Sequence, residues 1–411
     1  MTKTRRLLAG RLSIAAILFI IIPCLVWAAD FGLILNQRAG FAGITDGDNH
    51  FDYTGILLPR FSALVGNGGE IFISAGFTAN REREEWTFVP ELLRTEFHWI
   101  FGLGDFRIGR MHYSDPLGFI VAGLFDGARI TFDTPAGRFS AGAWYTGFLY
   151  KKRANIAMTI YEQRHRDAPI DFDNFADTYF APSRVLVALD WVHPGLARGF
   201  LRTSVSFIGQ FDLTGEYLHS QYLAAKFAVP AGSLTFAFGG SLGLAYVERY
   251  HQIFFAAEAG ITWTLPTPLP SWLSLMGRYT SGVSSVFDDR YISAFLPVTT
   301  ISQSPILQPR ASGLFKLFFD YSIRFNRNFA MSLSSFYFVR NDLHTNGNYV
   351  TIAGEYGHLV GAEFFSRLFW IPTSDVHLNL GAGIFLPSLG NVAPNLGNIW
   401  RVELGLAVSL F

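Results

Sequence analysis

Hydrophobic and polar residues alternate one by one along much of this 411-residue chain. Around KLFFDYSIRF, the residues Phe315, Leu317, Phe319, Tyr321, Ile323 and Phe325 share one phase, and Lys316, Asp320, Ser322 and Arg324 share the other. Successive side chains of a strand point to opposite faces, so a period of two predicts a strand and not a helix. IFFAAEAGITWTL repeats the pattern, with Ile253, Phe255, Ala257, Ala259, Ile261 and Trp263 opposite Glu258, Thr262 and Thr264. So do SLTFAFGGSLGLAYV and the last stretch, RVELGLAVSLF, whose Val402, Leu404, Leu406, Val408 and Leu410 oppose Arg401, Glu403, Gly405, Ala407 and Ser409. One face of strand after strand thus carries charges and glycines, which a packed core would not tolerate. Lipid outside and water inside resolve the conflict.

The connections come in two kinds that take turns. Short ones rich in Gly or Pro include GNGG (66–69), GLGD (102–105), TPAG (134–137) and PTSD (372–375). Longer polar ones separate them, the longest at 151–183 and 282–309. Short turns at one rim and longer loops at the other characterise membrane β-barrels. The expectation is an all-β, antiparallel up-and-down transmembrane barrel of about 18 strands (16–18), filling residues 29–411 as one unit. Aromatics near strand ends (Trp99, Tyr113, Tyr150, Trp191, Tyr246, Trp263, Tyr279 and Trp370) are expected in the interfacial girdles.

Composition agrees with that picture. Only 16% of residues are charged while 50% are hydrophobic, and 40 are glycine, against about 25% charged in soluble domains. After residue 28 no apolar run is long enough for a membrane helix. Residues 1–28 combine a basic start, an apolar run from Leu12 to Val26 and an acceptable cleavage site at Val26-Trp27-Ala28, which ends on a small residue, the features of a secretory signal peptide. A membrane anchor, or lipid attachment at Cys24, are the competing readings. Cleavage after Ala28 would remove Cys24, the one cysteine, and with it any disulfide or thiolate chemistry. It would also remove four basic residues (Lys3, Arg5, Arg6, Arg11) and no acid, taking the formal charge from 0 to −4. An acidic mature chain argues against nucleic acid as a partner.

The polar phase of each strand is expected to line the lumen. It collects Arg94, Glu96, His98, Arg107, Arg129, Asp190, Arg202, Lys226, Glu258, Arg278, Lys316, Asp320, Arg324, Glu363, Arg367, Arg401 and Glu403. Facing lipid, an Arg or Lys would cost roughly 2–4 kcal/mol at the midplane. Facing water, these groups pair across strands, and their basic excess would lower the barrier for anions. Arg107 and Arg110 fall on opposite phases unless a bulge intervenes, so only one of them is assigned to the lumen. The two longest loops are candidates to fold inward as a constriction, through Arg164, Arg166, Asp171, Asp173 and Asp177 in the first and Asp288, Asp289 and Arg290 in the second. Phe318, Phe336, Phe338 and Phe385, on the inner phase, would instead suit a channel for hydrophobic substrates.

Catalytic and metal patterns are missing: there is no HExxH, Walker loop or Gly-x-Ser-x-Gly elbow. Asp288-Asp289 and Asp171-x-Asp173 are weak calcium candidates, and His219 and Ser220 point to opposite faces of a strand. No cofactor, metal site or enzymatic activity is expected, although a lip enzyme or a plugged structural or adhesive barrel are the other classes such a chain could join.

GDFRIGRMHYSDPLGFIVAGLFDGARITF and GAEFFSRLFWIPTSDVHLNLGAGIFLPSLG resemble strands of large single-chain bacterial outer-membrane porins, including the alginate-export type. The second carries the matching features: a Gly-x-Glu strand, a Trp near the interface, a short turn ending in Ser-Asp, and a Gly-rich strand closing with Phe-x-Pro. The resemblance implies passive movement of small hydrophilic solutes through a polar lumen in the outer membrane, surrounded by its lipids. Arg401 to Phe411 would close the barrel against the first strand, DFGLILNQRAGF. Its terminal aromatic resembles the signal read by the barrel-assembly machinery, although Phe411 falls on the phase of Ser409 rather than that of Leu410.

Overall fold

The computed structural model describes residues 26–410 except 46, 83–84, 197–198, 216–217, 248–249, 283–292 and 343–356. Eighteen strands form one antiparallel sheet in which each pairs with its sequence neighbours. They are β1 (Val26–Ile44), β2 (Asn49–Val65), β3 (Gly69–Glu82), β4 (Glu85–Phe101), β5 (Gly104–Ser114) and β6 (Ala122–Thr134). Next come β7 (Gly137–Tyr145), β8 (Arg184–Leu196), β9 (Leu201–Asp212), β10 (Leu218–Ala231), β11 (Leu234–Val247) and β12 (Tyr250–Thr264). The last six are β13 (Ser271–Thr280), β14 (Leu314–Arg324), β15 (Phe329–Arg340), β16 (Leu359–Thr373), β17 (Val376–Leu386) and β18 (Ile399–Leu410). The ring closes where β1 pairs with β18 from Ile44↔Ile399 to Leu33↔Leu410. Closure leaves no sheet edge at that joint. The strand count and antiparallel order read from the alternation are those of the structure. β1 opens at Val26, three residues ahead of the expected boundary, and residues 1–25, where a signal peptide is expected, lie outside the described residues.

Phase decides which residues meet lipid. Phe207, Leu223, Leu242, Leu275, Leu317, Phe364, Leu380 and Leu404 are exposed large apolar side chains on the phase opposite the charges. Trp99, Trp263 and Trp370 are exposed at strand ends nearest the short turns, as a girdle requires. Two girdle expectations fail. Tyr113 is buried, stacked on Trp144 and donating to Asp190 at 3.1 Å, because its phase turns it inward. Tyr150 lies in a loop and stacks on Tyr179 at 4.9 Å between ring centroids.

The interior is not an empty pipe. Three connections fold into it and pack on the inward wall of β5–β12: residues 115–121, 154–158 and 293–313. Leu117, Phe119 and Ile120, together with Ile156, Phe295 and Val298, bury against Met111, Phe125, Leu186, Ile208, Tyr222 and Phe254. The first segment is wound around Asp115, whose carboxylate accepts the backbone N–H groups of Leu117, Gly118, Ile120 and Val121 at 2.8–3.0 Å. The third is stitched to the other two, with the Ala157 N–H on the Val298 carbonyl and the Val298 N–H on that of Ile120, both at 2.8 Å. The 146–183 connection also carries two short helices, α1 (Ile160–Asp167) and α2 (Phe175–Tyr179). A capping box of Thr159 and Glu162 starts α1. Glu162 then pairs at 2.6 Å with Arg184, a fully buried residue at the start of β8.

Candidate functional site: the charged lumen

Along the wall from β16 through β18 and β1 to β5, charged residues form clusters of one design. Glu403 on β18 accepts from Arg38 on β1 and from Arg367 on β16 at 3.1 Å, and forms an ion pair with Arg401, two residues before it, at 3.3 Å. Glu96 on β4 pairs with Arg94 at 2.7 Å and with Arg107 on β5 at 3.2 Å. Arg107 also reaches Asp105 at 3.2 Å, and His98 lies 3.5 Å from the same carboxylate. The carboxylates are walled in while the cations face water. Glu403 and Glu96 side chains are each 4% exposed, against 55% for Arg38, 42% for Arg94 and 40% for Arg107. A solute passing this wall therefore meets the guanidinium groups of Arg38, Arg94 and Arg107 more than the Glu96 and Glu403 carboxylates that hold them. Three arginines share Glu403, so this cluster is also net positive, and its groups offer planar donors suited to carboxylates or phosphates.

Across the lumen the pairing is tighter. Glu258 holds Lys226 at 3.1 Å and Arg278 at 2.8 Å, and Arg278 extends to the Gln303 side chain at 2.8 Å while lying over the Phe119 ring. Lys316 donates to the Gln303 carbonyl at 3.0 Å. Arg129 reaches Asp190 at 3.6 Å and Ser140 at 3.0 Å. Asp320 accepts from Ser322 and Ser334. Arg202 and Arg324, near the short-turn rim, are exposed and form no ion pair among the described residues.

Glu363 departs from the sequence expectation. It faces inward but does not line an open path: it is fully buried and takes the Ser304 hydroxyl at 2.7 Å and the Ile306 and Leu307 N–H groups at 3.0 Å. It thus fastens the third inserted connection to β16. Ile306 and Leu307 then cover Phe318, Phe336, Phe338 and Phe385, the aromatics considered for a hydrophobic lumen. Those rings form a packed satellite core and no channel lining.

The first long loop does enter the barrel, but through apolar 154–158 and not through the charges singled out for it. Arg164, Asp171, Asp173 and Asp177 are exposed, and Arg166 pairs with its neighbour Asp167. Asp171 caps its own turn by accepting the Asp173 N–H at 2.9 Å. Asp288, Asp289 and Arg290 lie outside the described residues. Among the described residues no group of three potential metal ligands converges.

Sequence reasoning passed over Arg38, Glu91 and Arg153. Glu91 is buried on the inner phase of β4, bonded to Thr78 and to Arg153 of the 146–183 connection, both at 3.2 Å. Arg110 does take the phase opposite Arg107: it pairs with Asp126 at 2.7 Å and caps the carbonyls of Leu92 and Phe148. Between them Gly109 has φ +121°, and a Cβ there would lie 1.8 Å from the Thr95 carbonyl oxygen, so no other residue fits without a shift.

A closed 18-stranded barrel, apolar outside and charged within, is a transmembrane β-barrel of porin architecture. Solved porins share it. OccK2 (OpdF) of Pseudomonas aeruginosa aligns with a TM-score of 0.64 at 11% identity, over 94% of this chain and 98% of that one. The same porin in complex with glucuronate gives 0.61 at 10% identity, over 94% and 99%. A BenF-like porin from Pseudomonas fluorescens gives 0.60 at 8% identity, over 94% and 100%. No family model and no curated protein sequence matches the chain.

Proposed function

We propose that this protein is a passive channel of the bacterial outer membrane for small hydrophilic solutes, with a preference for anions. The arrangement of exposed arginines on buried carboxylates carries this reading, since it makes the water-lined wall electropositive although basic and acidic residues are equal in number. Such a row lowers the barrier for anions without binding them tightly enough to stop transit. The inserted connections favour small solutes. A linear polyanion of the alginate type, suggested by the two quoted stretches, would need a less obstructed lumen. Carboxylates of the size of the glucuronate found in OccK2 are the chemistry we favour. The reading invokes no cofactor, energy coupling or chemical step. We assign recognition by the assembly machinery to the closing strand, Arg401 to Leu410 within the described residues, with outer-membrane lipids around the belt.

Reconstitution in planar bilayers tests the proposal. Stepwise currents with chloride permeating more readily than potassium are expected, and the preference should fall when Arg38, Arg94 and Arg107 are all changed to Ala. Absence of current above background would overturn the channel reading and favour a plugged structural barrel.

A further inference from the structure

The β4–β5 joint of the wall is incomplete. β4 pairs with β3 along nearly its whole length, from Glu82↔Glu85 to Gly69↔Trp99. With β5 it pairs only from Phe101↔Gly104 up to Thr95↔Arg110. Above that point β5 continues along β6 to Ser114↔Ala122, so β4 and β5 part and residues 85–93 are left with an open edge. The parting begins at a bulge, where the β3–β4 register shifts between Ser74 and Ala75 opposite Leu92–Arg94. Bulges end pairing in this way.

The open edge is sealed by side chains. The Tyr179 hydroxyl of α2 donates to the Pro90 carbonyl at 2.8 Å, and the Arg110 guanidinium caps the Leu92 carbonyl. N–H and C=O of one strand residue point to the same side. Pro90 therefore sits where its N–H would have been orphaned at the gap, and proline has none. The filling itself is aromatic: Tyr150 stacks on Tyr179, Tyr179 on Phe175, and Phe148 meets Phe180 edge-on. Burial, and after it the Glu91 charge, push the Tyr179 phenol up to about 12.

Both sides of this filling are telling. Outward, Trp86, Phe88 and Leu92 are exposed beside the gap and Phe148 is 59% exposed, so the joint opens on the apolar belt. Inward, Val89 and Tyr150 form one wall of a cavity of about 880 Å3 whose other lining is polar, including Thr78, Asn80, Glu91 and Arg153. A polar chamber thus abuts the outer apolar surface through a plug of rings, where the upper part of the β4–β5 joint has side-chain contacts to the Pro90 and Leu92 carbonyls in place of strand pairing.

We propose that the β4–β5 joint is a lateral portal, closed by Phe148, Tyr150 and the α2 segment, through which small amphipathic molecules with an aromatic or acyl tail pass between the chamber and the outer leaflet. The polar head would be held among Arg153 and the threonines while the tail displaces the plug rings. The proposal rests on the barrel being embedded in a membrane but not on the ion preference of the lumen.

The test locks the plug. Pro90→Cys with Tyr179→Cys is joined by a short bismaleimide in intact cells, and uptake of N-phenyl-1-naphthylamine into the outer membrane is followed by fluorescence. Removing the Tyr179 contact should raise uptake by roughly threefold over wild type, and cross-linking should return it to wild type or below. Single-channel current should stay the same in both states, which separates this portal from the axial pore. Phe148→Ala, which removes a plug ring and keeps the carbonyl that Arg110 caps, should also raise uptake. Retained resistance to unfolding in detergent certifies each variant as a closed barrel. Uptake that is equal before and after cross-linking, or that changes only in step with the ion current, would overturn the portal.

Discussion

Glu363 and Glu403 sit two strands apart, both buried, both on inward phases, and they do opposite things. Glu403 gathers three arginines that keep their outer faces in water. Glu363 gathers a hydroxyl and two backbone N–H groups of an inserted connection that water does not reach. The difference lies in what covers each carboxylate. Where a loop lies over the wall, an inward charge becomes a fastener; where none does, it becomes a base on which cations are presented to the solute. Lumen phase alone does not make a residue part of the path.

The comparison breaks most visibly at Glu363. Glu363→Ala strips the acceptor from three buried donors, at about 1–3 kcal/mol for each unsatisfied group. Single-channel conductance should rise, by roughly twofold or more as the 293–313 crossing loosens, with a lower unfolding temperature. Unchanged current with an unchanged melting point would place the fastening elsewhere. Glu403→Gln should act the other way, on selectivity more than on stability. Its arginines can turn to water, so the stability loss stays within about 1 kcal/mol. The anion-to-cation permeability ratio should grow by roughly twofold at 0.1 M salt and much less at 1 M, where the screening length shrinks from about 10 Å to about 3 Å. A salt-independent change would contradict an electrostatic origin. Arg38→Ala should lower the same ratio by a smaller amount, since Arg367 and Arg401 remain on Glu403, and reversal potentials under a salt gradient would show it. Smallest of all, Asp171→Asn with Asp173→Asn should leave both current and selectivity within measurement error, because these residues cap an exposed turn.

Several site residues were legible and several were not, for identifiable reasons. Arg94, Glu96 and Arg107 alternate cleanly with apolar neighbours, so their phase could be read and they meet in one cluster. Arg38 could not be read in this way. In β1 polar Gln37 shares the phase of exposed Phe31 and Phe41, while Ile34 shares that of Arg38, so the alternation is blurred. Tyr113 lies near a strand end as a girdle aromatic does, but its phase turns it inward onto Asp190. Pro90, inside an otherwise strand-like run, is the sequence mark of an unpaired edge.

Local chemistry determines the strands, their faces, their approximate number and the division into short turns and long loops, because period-two patterning and Gly/Pro punctuation act over a few residues. Which inward residues meet solute is decided in three dimensions. It depends on where 115–121, 154–158 and 293–313 lie across the lumen, on Glu403 collecting Arg38 from the other end of the chain, and on β4 parting from β5 above Arg110. Those contacts join residues far apart in sequence, and only ring closure and the packing of inserted loops bring them together.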